Sequence, residues 1–165
     1  MREFFGSLYG QIITVFSLIA IITLGGNIFS TDKGVSQATD VGVLVTNARQ
    51  QLGASPNGYA GFTDANVADL IRAGVVPATM VRNGALVDRW KGAVNLANQS
   101  NGGQGVITLN GINVASDCAK LVTTLGNGYD SVIVGGTTFN KDNPSDGQRA
   151  GAACNGQTTV TVVFS

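Results

Sequence analysis

The N-terminal part of the chain is a long apolar run. No charged residue lies between Glu3 and Asp32, and residues 12–24 are apolar on every face of a helix. As a helix, residues 4–31 would extend about 40 Å, which exceeds the bilayer hydrocarbon core of about 30 Å. The pattern predicts a membrane-spanning helix, to which we assign residues 1–31.

A cleaved secretory signal is the alternative interpretation of this run. Such a signal has an apolar core of about 7 to 15 residues and ends in a small-residue cleavage site. Here the apolar run is longer, and Gly25-Gly26-Asn27-Ile28-Phe29 follows it. These features favour a helix that is retained.

From Asp32 onward the predicted helix becomes amphipathic. Apolar residues recur at steps of three and four, which is the period of one helical stripe. They are Val35, Ala38, Val41, Val45, Ala48 and Leu52. The other faces carry Lys33, Gln37, Asp40, Asn47, Arg49 and Gln50. We expect the helix to end at Gly53 and to pack its apolar stripe against a globular head.

Two short helices are predicted in the head beyond Gly53. The first begins after Thr63 as its N-cap and ends at Gly74. Its inward-facing apolar residues are Val67, Leu70 and Ile71. The second is capped by Ser116 and ends at Gly126.

The remaining predicted elements are strands of one antiparallel sheet. Short apolar and β-branched runs predict them at residues 85–87, 93–96, 105–109, 112–114, 131–134 and 158–164. Asn110-Gly111 is a strong two-residue hairpin signal between two of these strands. The predicted fold class is α+β, with a long N-terminal helix packed on an antiparallel sheet and with residues 32–165 as the head.

Composition argues against nucleic-acid binding and catalysis. The 165 residues carry ten acidic and ten basic side chains and no histidine. A net charge of zero gives no electrostatic footprint for nucleic acid, so we expect none to be bound directly. Without histidine the chain lacks the commonest general base and metal ligand. We therefore predict a protein that is not an enzyme and that has no catalytic site, metal or cofactor.

The two cysteines, Cys118 and Cys154, form an even pair in a chain whose apolar N-terminal run indicates export. This context favours a disulfide over two buried free thiols. In the chain-entropy model, closing a loop of this length stabilises the fold by about 4 kcal/mol.

One polar loop contains Asn140, Asp142 and Asp146. These are oxygen-donor side chains of the kind that bind calcium. The loop lacks the alternating ligand pattern and the closing glutamate of a calcium loop. We interpret it as a solvated loop.

Three segments follow one another in a specific order and spacing. The first is the apolar helix that continues into an amphipathic stripe. The second is residues 70–81, which include Gly74-Val75-Val76-Pro77-Ala78-Thr79-Met80, followed by residues 86–92. The third is Cys118-Ala119-Lys120-Leu121-Val122, with Cys154 just before the terminal strand. Together they resemble type IVb pilins, in particular the PilS type of major pilin from conjugative and enteric thin pili, over essentially the whole chain.

The resemblance implies a type IV pilin fold and a structural function. The chain would be a major pilin that forms a homopolymer through its apolar helix. It would lie in the bacterial inner membrane until the pilus assembly machinery extracts it, and would then form an extracellular pilus that supports conjugation, adhesion or aggregation. The predicted filament-core residues are Ile12, Ile13, Val15, Phe16, Leu18, Ile19, Ile21, Ile22 and Leu24. The pair Cys118 and Cys154 would bound the variable C-terminal region.

Gly25 and Gly26 interrupt the predicted helix. Each costs about 1 kcal/mol relative to alanine in a helix interior. One interpretation is a kink between membrane and head. We favour the other, a helix break that becomes extended when subunits pack into a filament.

The family usually carries a glutamate early in the mature helix, where it is thought to pair with the N-terminal amine of a neighbouring subunit. No acidic residue lies within this apolar run. Cleavage after Gly6 would place Gln11 at the equivalent position, whereas Met1 as the mature N-terminus would make Glu3 the nearest acidic residue. We favour the second register and take Glu3 as the candidate assembly charge. The alternative is a charge at headgroup level beside Arg2.

Other functions share parts of this pattern. A minor pilin or tip adhesin would use the same anchor, with the loops between the cysteines contacting a receptor. A pseudopilin of a secretion system shares the helix but seldom the disulfide-bounded region. A membrane-anchored enzyme has no support in the residues.

Overall fold

The first helix that the structure describes coincides with the predicted amphipathic segment. The structure is a computed structural model that describes residues 32–126 and 128–165. Helix α1 spans Lys33–Ala48 and continues as a π-helical segment, Arg49–Gly53. The predicted end at Gly53 is confirmed. A Cβ at this position would lie 2.9 Å from the Tyr59 Oη, so glycine lets Tyr59 pack against the helix end without a clash.

One face of α1 is buried in the head. Its buried apolar residues are Ala38, Val41, Leu44, Val45 and Ala48. Val35 and Leu52, also expected in the stripe, are only partly buried. We expected Gln37 and Asp40 on the solvent-exposed faces of the helix. This prediction is wrong, because the two residues are 0% and 6% exposed.

The buried polar residues of α1 have hydrogen-bond partners in the middle of the chain. The Asp40 carboxylate accepts from the Arg89 Nε at 2.6 Å and from the Thr79 Oγ1 at 2.7 Å. The Gln37 Oε1 accepts from the Arg89 backbone N–H at 2.8 Å. Polar groups are buried at low cost only when they are hydrogen-bonded. These bonds account for the inward position of Asp40 and of the Gln37 Oε1, whereas the Gln37 Nε2 is buried without a hydrogen-bond partner among the described residues.

Short elements connect α1 to the main sheet. They are 3-10 turns at Gly58–Gly61 and Asp64–Asn66, helix α2 (Val67–Arg72), a 3-10 turn at Ala78–Met80, and the hairpin strands β1 (Val81–Arg82) and β2 (Ala85–Leu86). Thr63 precedes the helical segment as predicted, but its side chain makes no capping hydrogen bond. The turn after α2 contains Gly74 at φ +74°, a conformation that favours glycine. The predicted short helix is therefore present with the expected boundaries.

The main sheet has five antiparallel strands. They are β3 (Val94–Gln99), β4 (Gln104–Leu109), β5 (Ser131–Val134), β6 (Thr137–Phe139) and β7 (Val160–Phe164), in the spatial order β3-β4-β7-β5-β6. The C-terminal strand lies in the middle, where Thr161 is opposite both Thr108 of β4 and Ile133 of β5. Strand β7 thus joins the two halves of the sheet, and the α+β fold class is confirmed.

Aromatic packing covers the buried face of the sheet beside the end of α1. The Phe164 ring meets the Tyr59 and Phe62 rings edge-on, with centroids 5.1 and 5.4 Å apart. A Cβ at Gly105 in β4 would lie 2.4 Å from the Phe164 ring. Glycine at that position therefore makes room for the ring.

The Asn110-Gly111 hairpin was predicted wrongly. Strands β3 and β4 are joined instead by the 3-10 turn Ser100–Gly102, and residues 112–114 form no strand. The Gly111 N–H donates to the Asp88 Oδ2 at 2.7 Å, and the Ile112 N–H donates to the Thr158 carbonyl. These bonds direct the chain away from β4 and toward the next helix.

Two further helices complete the head. They are α3 (Ala115–Leu125) and α4 (Gly147–Ala153). Gly126 ends α3 as predicted, whereas Ser116 lies inside the helix and Val114 occupies the N-cap position without a capping side chain. Helix α4 lies in a region for which we predicted no regular element. Its N-cap is Asp146, whose carboxylate accepts from the Arg149 N–H at 2.8 Å.

Removal of the contact between Asp40 and Arg89 should lower the stability of the head measurably. In Arg89→Met, the Asp40 carboxylate, whose side chain is 8% exposed, retains the Thr79 hydroxyl as its donor but loses the guanidinium. We expect the free energy of unfolding to fall by about 2 kcal/mol. Urea denaturation of the oxidised protein, followed by the fluorescence of its single tryptophan, measures this.

Arg72→Met is the matched control. The Arg72–Asp69 pair has the same chemistry, but its side chains are 77% and 71% exposed. This variant should change the stability by less than about 0.5 kcal/mol. Equal effects of the two substitutions would contradict the structural role of the buried pair.

Candidate assembly surface

The outer face of α1 is the surface of this helix that the head leaves uncovered. It carries Thr39, Val43, Thr46 and Arg49, all exposed, and Val43 is 44% exposed. The hydroxyls of Thr39 and Thr46 donate to the carbonyls of Val35 and Gly42, at 3.1 and 2.8 Å. Because both hydroxyls donate to carbonyls of their own helix, neither needs a hydrogen-bond acceptor from a neighbouring molecule.

A groove of about 300 Å³ runs between this face and the end of α3. Its walls are formed by Ala38, Thr39, Gly42, Val45, Thr46 and Arg49 of the first helix and by Thr124, Leu125, Gly128 and Tyr129. A Cβ at Gly42 would lie 3.7 Å from the Tyr129 Oη. The missing side chain at Gly42 therefore helps to open the groove.

Tyr129 forms the half-buried wall of the groove. Burial raises the pKa of its phenol above the ordinary value of 10.0, and the positive charge of Arg49 acts in the opposite direction. The phenol is therefore neutral at physiological pH.

Arg49 adds a positive charge to the lining of the groove and anchors the last strand. Its Nε donates to the Ser165 carbonyl at 2.7 Å, and its guanidinium lies 6.0 Å from the Phe164 ring centroid. The Ser165 hydroxyl donates to the Asp130 Oδ1, and the Gln104 Nε2 donates to the Asp130 Oδ2. This chain of bonds fixes the groove wall relative to the sheet.

The disulfide between Cys118 and Cys154 is present. Both cysteines are fully buried, and their Cα atoms are 5.8 Å apart. The bond joins α3 to the residue that follows α4 and encloses β5, β6 and α4. It therefore fixes the helix that forms one side of the groove to the C-terminal region of the head.

The polar loop that we compared with a calcium site is organised by its own side chains. The Asn140 Oδ1 accepts from the N–H groups of Asp142 and Asn143, at 3.0 and 2.8 Å. The Arg149 guanidinium donates to the Pro144 carbonyl and to the Asn143 side chain. Among the residues that the structure describes, no group of three or more carboxylate or cysteine side chains is arranged to hold a metal ion.

The predicted membrane segment lies outside the described residues. This includes the filament-core residues between Ile12 and Leu24, the break at Gly25 and Gly26, and Glu3, all of which remain predictions. Within residues 32–126 and 128–165, no helix is long and apolar enough to cross a membrane.

The fold and the disulfide define a pilin-like head, in which an amphipathic helix and an antiparallel sheet share one hydrophobic core and a disulfide bounds the C-terminal region. A family model described as PilS N terminal matches residues 31–165. The chain belongs to the PilS family, as the resemblance implied, and its role is related to that of type IV pilins. Family membership implies an extracellular pilus. Comparison with curated proteins and with solved structures gave no match.

Removal of the disulfide should destabilise the head. The cysteines are 36 residues apart, and opening a loop of that length costs about 4 kcal/mol of unfolding free energy. We expect this loss in the double variant Cys118→Ala/Cys154→Ala, measured by urea denaturation with tryptophan fluorescence. A reductant should lower the stability of the wild type and leave the double variant unchanged. A loss below about 1 kcal/mol would show that the bond does not stabilise the head.

The wild type and the Tyr129→Phe variant should differ in how their stability changes at alkaline pH. The pKa of the Tyr129 phenol is raised in the folded state. The contribution of this phenol to the free energy of unfolding is therefore present below pH 10 and is lost as the pH rises through the folded-state pKa. Tyr129→Phe has no phenol to ionise, and its stability should therefore fall less than that of the wild type from about pH 9 to about pH 11. Denaturation curves across this range test the difference. Parallel pH profiles would contradict the raised pKa.

Proposed function

We propose that this chain is the major structural subunit of a type IVb pilus and that it polymerises through residues 4–31. The observation that carries the proposal is the change of helical pattern along the chain. An uncharged run ends immediately before Asp32, and α1 begins at Lys33 with one face buried in the head. A subunit with this arrangement presents an apolar segment that needs neighbours and a folded head that does not.

The energetic argument concerns the apolar surface of residues 4–31. Burial of apolar area contributes about 25 cal/mol per Å², so a helix of this length gains tens of kcal/mol before entropy is subtracted. In the membrane, acyl chains cover this surface. In a filament, the same surfaces of other copies cover it, with Ile12 to Leu24 as the core. The segment thus stays out of water throughout assembly.

The other steps of this proposal follow from the pilin role. The subunit waits in the bacterial inner membrane, and the pilus assembly machinery extracts it. Glu3 supplies the charge that meets the N-terminal amine of a neighbour, and Gly25-Gly26 becomes extended during packing. The assembled pilus supports conjugation, adhesion or aggregation.

A minor pilin or tip adhesin is the second candidate function. It is favoured by the loop at residues 140–146, which lies in the disulfide-bounded region and is ordered by Asn140 and Arg149. A preformed loop binds a receptor with less loss of conformational entropy than a flexible one. Abundance separates the candidates, because a major pilin dominates the protein sheared from the cell surface.

Filament formation tests the main proposal. In cells that express the full chain with its assembly system, we expect the sheared fraction to contain this protein as its main band and to show filaments by negative stain. Ile19→Lys places a charge within the predicted core, at a cost of about 3 kcal/mol in a membrane helix, and should abolish the filaments.

Ala68→Lys is the control, because Ala68 is exposed on α2 in the head. It adds the same charge and should leave the filaments intact. A wild-type chain that is never found in sheared filaments, or an Ile19→Lys variant that assembles normally, would contradict the proposal.

A further inference from the structure

The groove between α1 and α3 has a lining of mixed polarity and the size of a small-ligand site. Its apolar residues are Ala38, Gly42, Val45 and Leu125. Its polar residues are Thr39, Thr46, Arg49, Thr124 and Tyr129. The volume of about 300 Å³ is at the lower end of the range for ligand pockets. One sugar ring is a ligand of this size, and it likewise combines an apolar C–H face with a polar edge.

Arg49 gives the groove a positive charge. Among the described residues that line the groove, Arg49 alone is charged. Its Nε donates to the Ser165 carbonyl, which leaves the two terminal nitrogens of the guanidinium for another acceptor. Asp130 is outside the lining, and its two oxygens accept from Ser165 and Gln104. Since a guanidinium binds a carboxylate through two parallel hydrogen bonds, the charge favours a ligand with one carboxylate.

The hydroxyl groups of the lining supply both donors and acceptors. Burial raises the pKa of the Tyr129 phenol, which therefore keeps its proton at physiological pH and donates to a ligand oxygen. The Thr39 and Thr46 hydroxyls donate to their own helix, but their oxygens still accept hydrogen bonds. These groups match the alternating donors and acceptors of sugar hydroxyls.

The end of α3 supplies further acceptors. Thr124 and Leu125 are the last two residues of this helix. The last carbonyls of a helix have no partner within it, and they form the negative end of the helix dipole. A ligand hydroxyl donates favourably to such carbonyls, whereas a carboxylate does not approach them. The groove therefore suits a ligand that carries several hydroxyls together with one carboxylate.

We propose that this groove binds a carboxylated sugar unit, with its carboxylate at Arg49 and its hydroxyls at Tyr129 and the end of α3. The site is preformed, because α1 is part of the core and α3 is held by the Cys118–Cys154 bond, so little conformational entropy is lost on binding. The site does not require filament formation. In the filament proposed above, many copies of the groove would bind one acidic polysaccharide, so weak single sites would add up to firm attachment.

Titration with D-glucuronate tests the site on the oxidised full chain. The protein is purified in a zwitterionic detergent without a sugar headgroup, and binding is followed by amide NMR spectra. The Gly42 and Gly128 amide signals should shift with a Kd of about 1 mM, as is typical of a ligand of this size, and the Ala68 signal on α2 should not. D-glucose has the same ring without the carboxylate, and it should bind about tenfold more weakly.

Two variants and one matched control place the ligand in the groove. A Cβ at Gly42 would lie 3.7 Å from the Tyr129 Oη, an ordinary contact, so the side chain of Gly42→Leu enters the groove without displacing the helix. This variant should lose glucuronate binding. Val43→Leu enlarges the neighbouring exposed residue, which is outside the lining, and should bind as the wild type does. Arg49→Gln should bind glucuronate only as weakly as glucose. Urea denaturation checks that each variant is folded.

Three results would each overturn the proposed site. The first is equal affinity of the wild type for glucuronate and glucose, which would show that Arg49 does not select a carboxylate. The second is undiminished binding by a folded Gly42→Leu variant, which would show that the sugar binds elsewhere. The third is the absence of any shift at Gly42 and Gly128. None of these results concerns polymerisation, so the pilin function is tested separately by the sheared filaments.

Discussion

Burial of one face of α1 determines how the rest of the head is arranged. Val41, Leu44 and Ala48 are fully inaccessible, so the helix is a part of the core rather than an attachment to it. The bonds of Asp40 to Arg89 and Thr79 form in only one register of the helix against the middle of the chain. With this face committed to the head, only the opposite face remains for contacts with other molecules. Under the proposed pilin function, that division lets one helix belong both to a folded domain and to a polymer.

Periodicity predicted the parts of the fold that depend on local sequence. The stripe from residue 35 to residue 52 predicted α1 and its end, because burial of a helix face repeats with the helical turn. The same pattern misplaced Gln37 and Asp40, whose partners in the middle of the chain are 39 to 52 residues away. Asn110-Gly111 has the composition of a hairpin turn, but Asp88, 23 residues earlier, takes the Gly111 N–H. In each case a distant hydrogen bond overrode a local signal.

The candidate surface was only partly predictable for a related reason. The disulfide followed from the cysteine pair, since two cysteines allow a single pairing. The groove did not, because the fold brings Gly42 and Tyr129 together from separate elements. Strand β6 and helix α4 are too short for periodicity to identify, and α4 depends on the cap at Asp146 and on the nearby Cys154 bond. The disulfide-bounded region thus takes its structure from tertiary contacts.

The proposed pilin function requires that residues 4–31 stay out of water, covered first by lipid and then by copies of the same segment. A cryo-EM reconstruction of filaments purified from cells that express the full chain would show what surrounds this segment. We expect a central bundle in which residues 12–24 of each copy contact the same residues of neighbouring copies, with the heads outside. A purified full chain that is a water-soluble monomer, with residues 4–31 packed inside its own globule, would contradict it.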